Sequence, residues 1–495
     1  LKIILAGYNV DSQVVSDLVG EGERKDATPE TISAAYARIS RDPRPVDELR
    51  SVARQEVEQA RKSNRKIIFG MGHHSVAEHV VFNFDVIGVS RLAIEEIEKF
   101  RLCSFTEKSQ RYIALADEYV IPSEIGGSHL EKKYVETVEA QNSLYHKMFS
   151  RLKERTSRWF SSDQRVPDDQ RVIEGMAKED ARYVTSLATS GQLGETVNAR
   201  NLELMLRRFA SHELAEVREI GRRMYDCVAD VAPSVIIFTD ANEYDQKTYP
   251  ELKSVSAELV RDDLSPVDDT SVRLVEYTES ADAALVAALL HTSTDRSYPE
   301  CREMSEGMTE ALRMRVVKTA LEHMELYDTA LREFEYVRLT FDLVVSASCF
   351  AQLKRHRMAT ITTQGYNPDL GITIPQSVKD CDMEKEFTSM AMRSEETYYA
   401  LLDQAPPVAP YVLTNSHRRR VLLSVNAREL YHISRLREDD TAQWEIRDMT
   451  GRMIQLAKEV MPLTMLLAGG KDSYPQVYEQ VYGRPPKVER PELPA

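Results

Sequence analysis

The sequence predicts an α+β protein built from two tandem copies of one unit, and three observations carry that reading. Two octets, Glu78 to Asp85 and Glu335 to Asp342, alternate apolar and polar residues with the period of a half-buried strand, then give way to helical spacing. Asn198-Ala199-Arg200 and Asn426-Ala427-Arg428 each open a long helical segment. Glu216-Val217-Arg218 and Glu445-Ile446-Arg447 then recur inside those segments, and self-similarity of this kind marks a duplicated architecture.

In chain order, Lys2 to Leu5 reads as a strand, and Lys2 through Tyr8 matches Arg273 to Tyr277 once a short gap is allowed. The first unit is expected over 1–242, with a helical stretch from Arg91 to Arg101. It is longer between Arg101 and Arg200 than the second copy is between Arg357 and Arg428, so residues 132–178 read as an additional charged helix. Residues 243–271 are polar and rich in Asp, Ser and Pro, as a linker is. The second unit is expected over 272–480, with a helical stretch from Val344 to Arg357. Long helices are expected over Val197 to Asp230 and Arg428 to Met461. The tail, 481–495, holds Pro485, Pro486, Pro491 and Pro494 and reads as an extended arm.

Composition narrows the function. The chain has 495 residues and a formal net charge of -15, which argues against duplex nucleic acid as a partner, since that binding rests on Lys and Arg neutralising phosphates. An anionic ligand must therefore be met locally. Five cysteines are scattered without a Cys-x-x-Cys pair, as in a reducing compartment, and a cytoplasmic location is expected. Nothing resembles a signal peptide, and no apolar run approaches the ~20 residues of a membrane span.

Three motifs carry candidate chemistry. Gly72-His73-His74-Ser75-Val76-Ala77-Glu78-His79 gathers imidazoles and a carboxylate before a strand; it reads as a cofactor-binding loop, a metal site, or polar groups merely satisfied at a strand start. Glu107-Lys108-Ser109-Gln110-Arg111-Tyr112 brings a hydroxyl, an amide and a guanidinium together, the groups that grip phosphate or carboxylate. Gln352-Leu353-Lys354-Arg355-His356-Arg357 is a cationic cluster in an acidic chain, either a solvated helix end or an anion site. Its counterpart in the first copy, Lys99-Phe100-Arg101, has lost the histidine, while Thr362 to Asn367 lacks the Ser and Arg of the first copy's Ser109-Gln110-Arg111. Each copy keeps what the other has lost.

These residues resemble the flavin-dependent thymidylate synthases. That family's pattern is Gly-His-x-Ser/Thr-x-x-Glu-His, then Arg-His-Arg, then Ser-x-Arg-Tyr, then an Asn-Ala-Arg helix with Ala-Gln-Trp-Glu-Ile-Arg. Here the pattern is divided: Gly72 to His79 and Ser109 to Tyr112 in copy one, Arg355 to Arg357 and Ala442 to Arg447 in copy two. The resemblance covers nearly the whole chain. It implies two units, each a mostly antiparallel sheet flanked by long helices, and reductive methylation of dUMP to dTMP with methylenetetrahydrofolate and NADPH through FAD.

The resemblance also implies residue roles. Arg355, His356 and Arg357 would hold FAD and nucleotide, with Gln352 and Arg355 on dUMP. Glu107, Ser109, Gln110 and Arg111 would hold its phosphate and sugar, Ser109 in a binding rather than a covalent role. Asn426, Arg428 and His432 look like flavin contacts, and Arg437 like the residue on the uracil ring. His73, Ser75 and Glu78 match the flavin and folate side. Either Arg419 or Arg182 would reach the phosphate. No metal is implied. Family members form homotetramers with shared sites, so two chains of this kind would make a homodimer that is a pseudo-tetramer of four repeats. One composite site per pair of copies would be intact; the reciprocal pairing, Glu96 to Phe100 with Thr363-Gln364-Gly365, would be dead. A catalytically inactive flavin- or nucleotide-binding homologue, a sensor or scaffold, is the alternative, because copy two has Tyr336 where the motif has His.

Overall fold

The computed structural model describes residues 1–17, 27–39, 42–111, 113, 115–162 (159–162 as backbone only), 170–260 and 271–488. Tyr112 of the Ser-x-Arg-Tyr motif and tail residues 489–495 lie outside them. The chain forms two compact units, Leu1–Pro266 with Pro375–Thr414, and Val267–Ile374 with Asn415–Ala495.

The first unit holds strands β1 (Lys2–Tyr8), β2 (Val81–Ser90), β3 (Cys103–Glu107) and β4 (Ser190–Asn198), all antiparallel, in the order β1-β2-β4-β3. The second holds β5 (Val272–Tyr277), β6 (Arg338–Ser346), β7 (Thr360–Thr363) and β8 (Arg418–Asn426) in the order β5-β6-β8-β7. Topology and irregularities repeat together, since β1 shifts register between Leu5 and Gly7 and β5 shifts between Leu274 and Glu276. The α+β reading with two antiparallel sheets is what the structure shows.

The alternation in the two octets sets the buried face. Phe82, Phe84 and Val86 of β2 are buried, as are Leu339, Phe341 and Leu343 of β6. Each such side chain is worth about 1.5–3 kcal/mol in the core, so a one-residue slip, which would turn the whole set to the other face, is strongly disfavoured. In the second unit this core continues through Phe334, Leu353, Tyr431, Met453 and Tyr474.

Both central strands end in the same lock. Ser90 caps the helix Arg91–Glu98 by accepting from the Ala93 amide, and its own amide and hydroxyl donate to Glu216 at 2.7 and 2.6 Å. Ser346 caps the helix Ala347–Leu353 and donates in the same way to Glu445 at 3.2 and 2.5 Å. This is why the Glu-x-Arg repeats stand where they do.

Several boundaries differ from the sequence reading. The second helical stretch begins at Ala347 rather than Val344, because Leu343, Val344 and Val345 continue the ladder opposite Val421, Arg420 and Arg419. That helix ends at Leu353, so Arg355, His356 and Arg357 occupy the turn after it. Each expected long helix is two: Ala199–Ala210 then Ala215–Val228, and Ala427–Arg437 then Trp444–Val460. Side chains fold the intervening backbone into turns: His212 Nδ1 accepts from the Leu214 amide at 3.1 Å, Asp439 Oδ1 accepts from the Thr441 amide at 2.8 Å, and Gln443 caps the last helix.

The extra length of the first copy forms the helices His129–Ser162 and Gln170–Ala181; the corresponding place in the second copy holds the helix Glu384–Gln404, so a helix is lengthened and doubled rather than newly inserted. Residues 375–414 belong to the first unit, where Gln141 Nε2 donates to Ser394 Oγ and to the Val412 carbonyl, both at 2.8 Å, and Tyr411 OH donates to Glu216 at 2.6 Å. Within the expected linker, Glu243–Leu259 is helical with none of its residues buried.

Candidate active site: two polar half-sites

In the first unit a cationic half-site forms where β3 ends. The ladder closes at Glu107 opposite Leu193, and the Lys108 amide still donates to the Gln192 carbonyl at 2.9 Å, which delivers Ser109, Gln110 and Arg111 to one side of the sheet end. Ser109 Oγ accepts from the Arg111 amide at 3.2 Å, turning the chain. Arg111 pairs with Glu179, and Arg91, at the first position of its helix, has Nη1 3.7 Å from Glu107. Arg182, in the short 3-10 turn Arg182–Val184, is buried, and its pKa is pushed down by that burial and further by the nearby Arg91 and Arg111 guanidiniums. Three guanidiniums are thus gathered at this sheet end, the fork-shaped donors that grip an anion. Arg91, Glu107, Ser109, Gln110, Ser190 and Gly191 line the adjoining pocket.

The second unit carries a half-site of different chemistry. His356 is 3% exposed; its Nε2 accepts from Arg437 Nε at 2.9 Å, and its Nδ1 lies 3.6 Å from Glu429. Burial lowers the imidazole's pKa, Glu429 opposes that shift, and the nearby Arg437 adds to it; because an arginine can only donate, Nε2 is the unprotonated nitrogen and the ring proton sits on Nδ1. Arg437 also donates to the Gln352 carbonyl at 3.2 Å, and the His432 ring meets His356 edge-on at 5.9 Å. Asn426 caps the helix Ala427–Arg437 through its side-chain oxygen, which accepts from the Glu429 amide at 2.8 Å. Arg355 and Arg357 are half-buried beside this group.

Two expected contacts are engaged elsewhere in the fold. Arg428 donates to the Ala330 carbonyl at 2.7 Å and pairs with Glu335 at 3.0 Å; the first unit repeats this with Arg200 and Glu78 at 2.5 Å, so the Asn-Ala-Arg arginine ties its helix to the turn before the central strand in both copies. Arg419 lies between the Phe350 and Tyr366 rings, 4.8 and 4.4 Å from their centroids, and donates to the Gln364 carbonyl and Thr363 hydroxyl. Of the two competing arginines, it is Arg182 that the fold gathers with Arg111.

The loop before β2 belongs to the first unit. His73, His74 and Ser75 are exposed, Gly72 takes a φ of +76° that only glycine adopts easily, and His79 packs edge-on to Tyr36 at 4.7 Å. No group of three His, Cys, Asp or Glu side chains is gathered for a metal among the described residues.

The first unit shows what became of its own copy of the histidine–arginine site. The ladders set Lys99 to Arg101 against Arg355 to Arg357, and Gly365-Tyr366-Asn367, rather than Thr363-Gln364-Gly365, against Ser109-Gln110-Arg111. Phe100 stands for His356 and Phe209 for Arg437, and the two rings meet edge-on at 5.7 Å. Glu96 stands for Gln352; burial would raise its carboxyl, but Lys99 at 2.6 Å and His212 at 3.3 Å hold it down at about 2. The polar site has become an apolar plug with a closed ion-pair rim. Arg91, given no site role by the sequence reading, stands in the sequence as a cation where the second copy has Ala347, and Glu429 as the third residue of a capped helix.

The fold defines a class: a tandemly duplicated α+β protein, each copy carrying its own cluster of polar residues. The chain belongs to the thymidylate synthase complementing protein family, whose model matches residues 24–234 and 273–463. A UPF0159 protein of Thermoplasma acidophilum is 23% identical over 481 residues, 87% of this chain and 92% of that protein. A flavin-dependent thymidylate synthase of Clostridium tetani is 29% identical over 214 residues, 43% of this chain and 82% of that one. A solved UMP/dUMP methylase from Streptomyces cacaoi is 20% identical and matches 39% of this chain and 92% of its own at a TM-score of 0.32.

Proposed function

We propose that this chain is a flavin-dependent thymidylate synthase that converts dUMP to dTMP with methylenetetrahydrofolate and NADPH through FAD, taking one half-site from each copy. The observation that carries the reading is complementary loss. The first copy retains Ser109, Gln110 and Arg111 where the second has Gly365, Tyr366 and Asn367, and the second retains Gln352, His356 and Arg437 where the first has Glu96, Phe100 and Phe209. General decay would not sort the losses into complementary sets. Within each half, Gln110 Oε1 and Gln352 Nε2 are buried without a hydrogen-bond partner among the described residues, a costly state that a nucleotide's polar edge would relieve.

In this reading Arg111, Arg182 and Ser109 grip the phosphate, with Arg91 adding charge, while Gln352 and Arg437 address the base. His356, neutral with its proton on Nδ1, holds Arg437 in place. Charge building on the uracil carbonyls during reduction would be met by the Arg437 guanidinium. Arg355, Arg357, His356, Asn426 and His432 would hold FAD, joined by His73 and Ser75; Glu78 and Arg428 act through the ion pairs that shape the neighbouring turns. Flavin, when bound, supplies the hydride that reduces the transferred carbon.

The test is a titration followed by turnover. The purified protein should bind one FAD and one dUMP per chain, bleach with NADPH, and form dTMP when methylenetetrahydrofolate is added. Binding of two of each per chain would overturn the divided site, and bleaching without dTMP would overturn the activity.

A further inference from the structure

The contact between Glu429 and His356 has no counterpart in the first unit, and the way it was lost is informative. Glu429 is the third residue of its helix, the position from which a carboxylate commonly folds back onto its own cap. Instead its carboxylate, only 10% exposed, lies 3.6 Å from His356 Nδ1. The matching residue in the first unit, Asn201, does fold back, its Nδ2 donating to Asn198 Oδ1 at 2.8 Å. Three positions have therefore changed together: Glu429, His356 and Arg437 in one copy, Asn201, Phe100 and Phe209 in the other. Both sets sit in the same frame, since both helices open with an asparagine cap whose oxygen accepts from the third residue's amide, at 2.8 and 3.0 Å.

An imidazole has two neutral tautomers, and only one lets Nε2 accept from Arg437 Nε. We propose that Glu429 is a positioning residue: its carboxylate, 3.6 Å from Nδ1, favours the proton on that nitrogen and so supports the tautomer that Arg437 needs, and His356 in turn fixes the plane of the Arg437 guanidinium. Glu429 does not meet the ligand. The consequence for dUMP rests on the thymidylate synthase reading; the tautomer does not.

The experiment uses the full chain with isotope-labelled histidine, and His356 assigned by difference with His356→Phe. Nitrogen spectra should show the Nδ1–H tautomer in the wild type and in Glu429→Gln, whose amide oxygen can still accept, and a mixture in Glu429→Ala. Glu429→Ala should weaken dUMP binding by about tenfold or more, Glu429→Gln by less than about threefold, and Glu429→Ala should add almost nothing once Arg437 is alanine, the non-additivity expected of residues acting in series. An unchanged tautomer in Glu429→Ala, or losses that simply add in the double variant, would overturn the proposal. A tautomer that shifts in a protein binding no dUMP would uphold the positioning role and remove the dUMP reading instead.

Discussion

Glu195 offers a quantitative test of the duplicated frame. It lies on β4 opposite Phe84 on one side and Phe105 on the other, 2% exposed, and burial pushes its carboxyl up from 4.5 to about 8, with Glu98 adding to the shift and Cys103 opposing it. The second unit places Leu423 in the same cell, opposite Phe341 and Ile361. Glu195→Leu should therefore fit. Because the folded-state pKa is raised, the wild type has its full stability below the unfolded value and loses it as pH climbs toward the folded one, since unfolding releases a proton across that window. Between pH 5 and pH 8 the loss amounts to about 3 kcal/mol, from roughly 1.4 kcal/mol per unit of pH across most of the window. The leucine variant carries no such term. Its advantage over the wild type in urea unfolding should therefore grow by about that amount from pH 5 to pH 8, over any constant gain from burying the new side chain. An advantage that stays level across the range would refute the assignment of a neutral buried carboxyl.

The other expectations follow from the half-sites and their supports. Arg111→Ala should abolish dUMP binding by equilibrium dialysis, whereas Lys99→Ala, which removes an exposed cation from the rim of the first unit's apolar plug, should leave turnover intact. A Cβ at Gly470 would come within 2.8 Å of the Glu438 backbone, in the turn that follows Arg437; Gly470→Ala should cost about 1–3 kcal/mol in thermal unfolding and weaken dUMP binding with it. The stoichiometry of one FAD and one dUMP per chain, and the tautomer of His356, complete the set.

Sequence alone determined a good deal here. The octets revealed β2 and β6 because alternation along a strand is a local property, and the repeats revealed the duplication because matched residues serve matched locks: Glu216 and Glu445 each hold the serine that ends a central strand. The complementary loss of Arg-His-Arg and Ser-Gln-Arg was legible for the same reason, as two short motifs compared position by position. Other features needed the tertiary structure. The length of β6 beyond Val344 depends on its partner β8, and the breaks in the long helices depend on side chains closing local turns, neither of which hydrophobic spacing encodes. Arg419 and Arg182 were equivalent on paper, and only packing separates an arginine held between two rings from one gathered with Arg91 and Arg111. The cluster Arg355-His356-Arg357 read as a patch of charge; its histidine is in fact buried, with Glu429 and Arg437, more than 70 residues further along the chain, converging on its two ring nitrogens. Convergence of that kind is a property of the fold, which the order of residues contains without displaying.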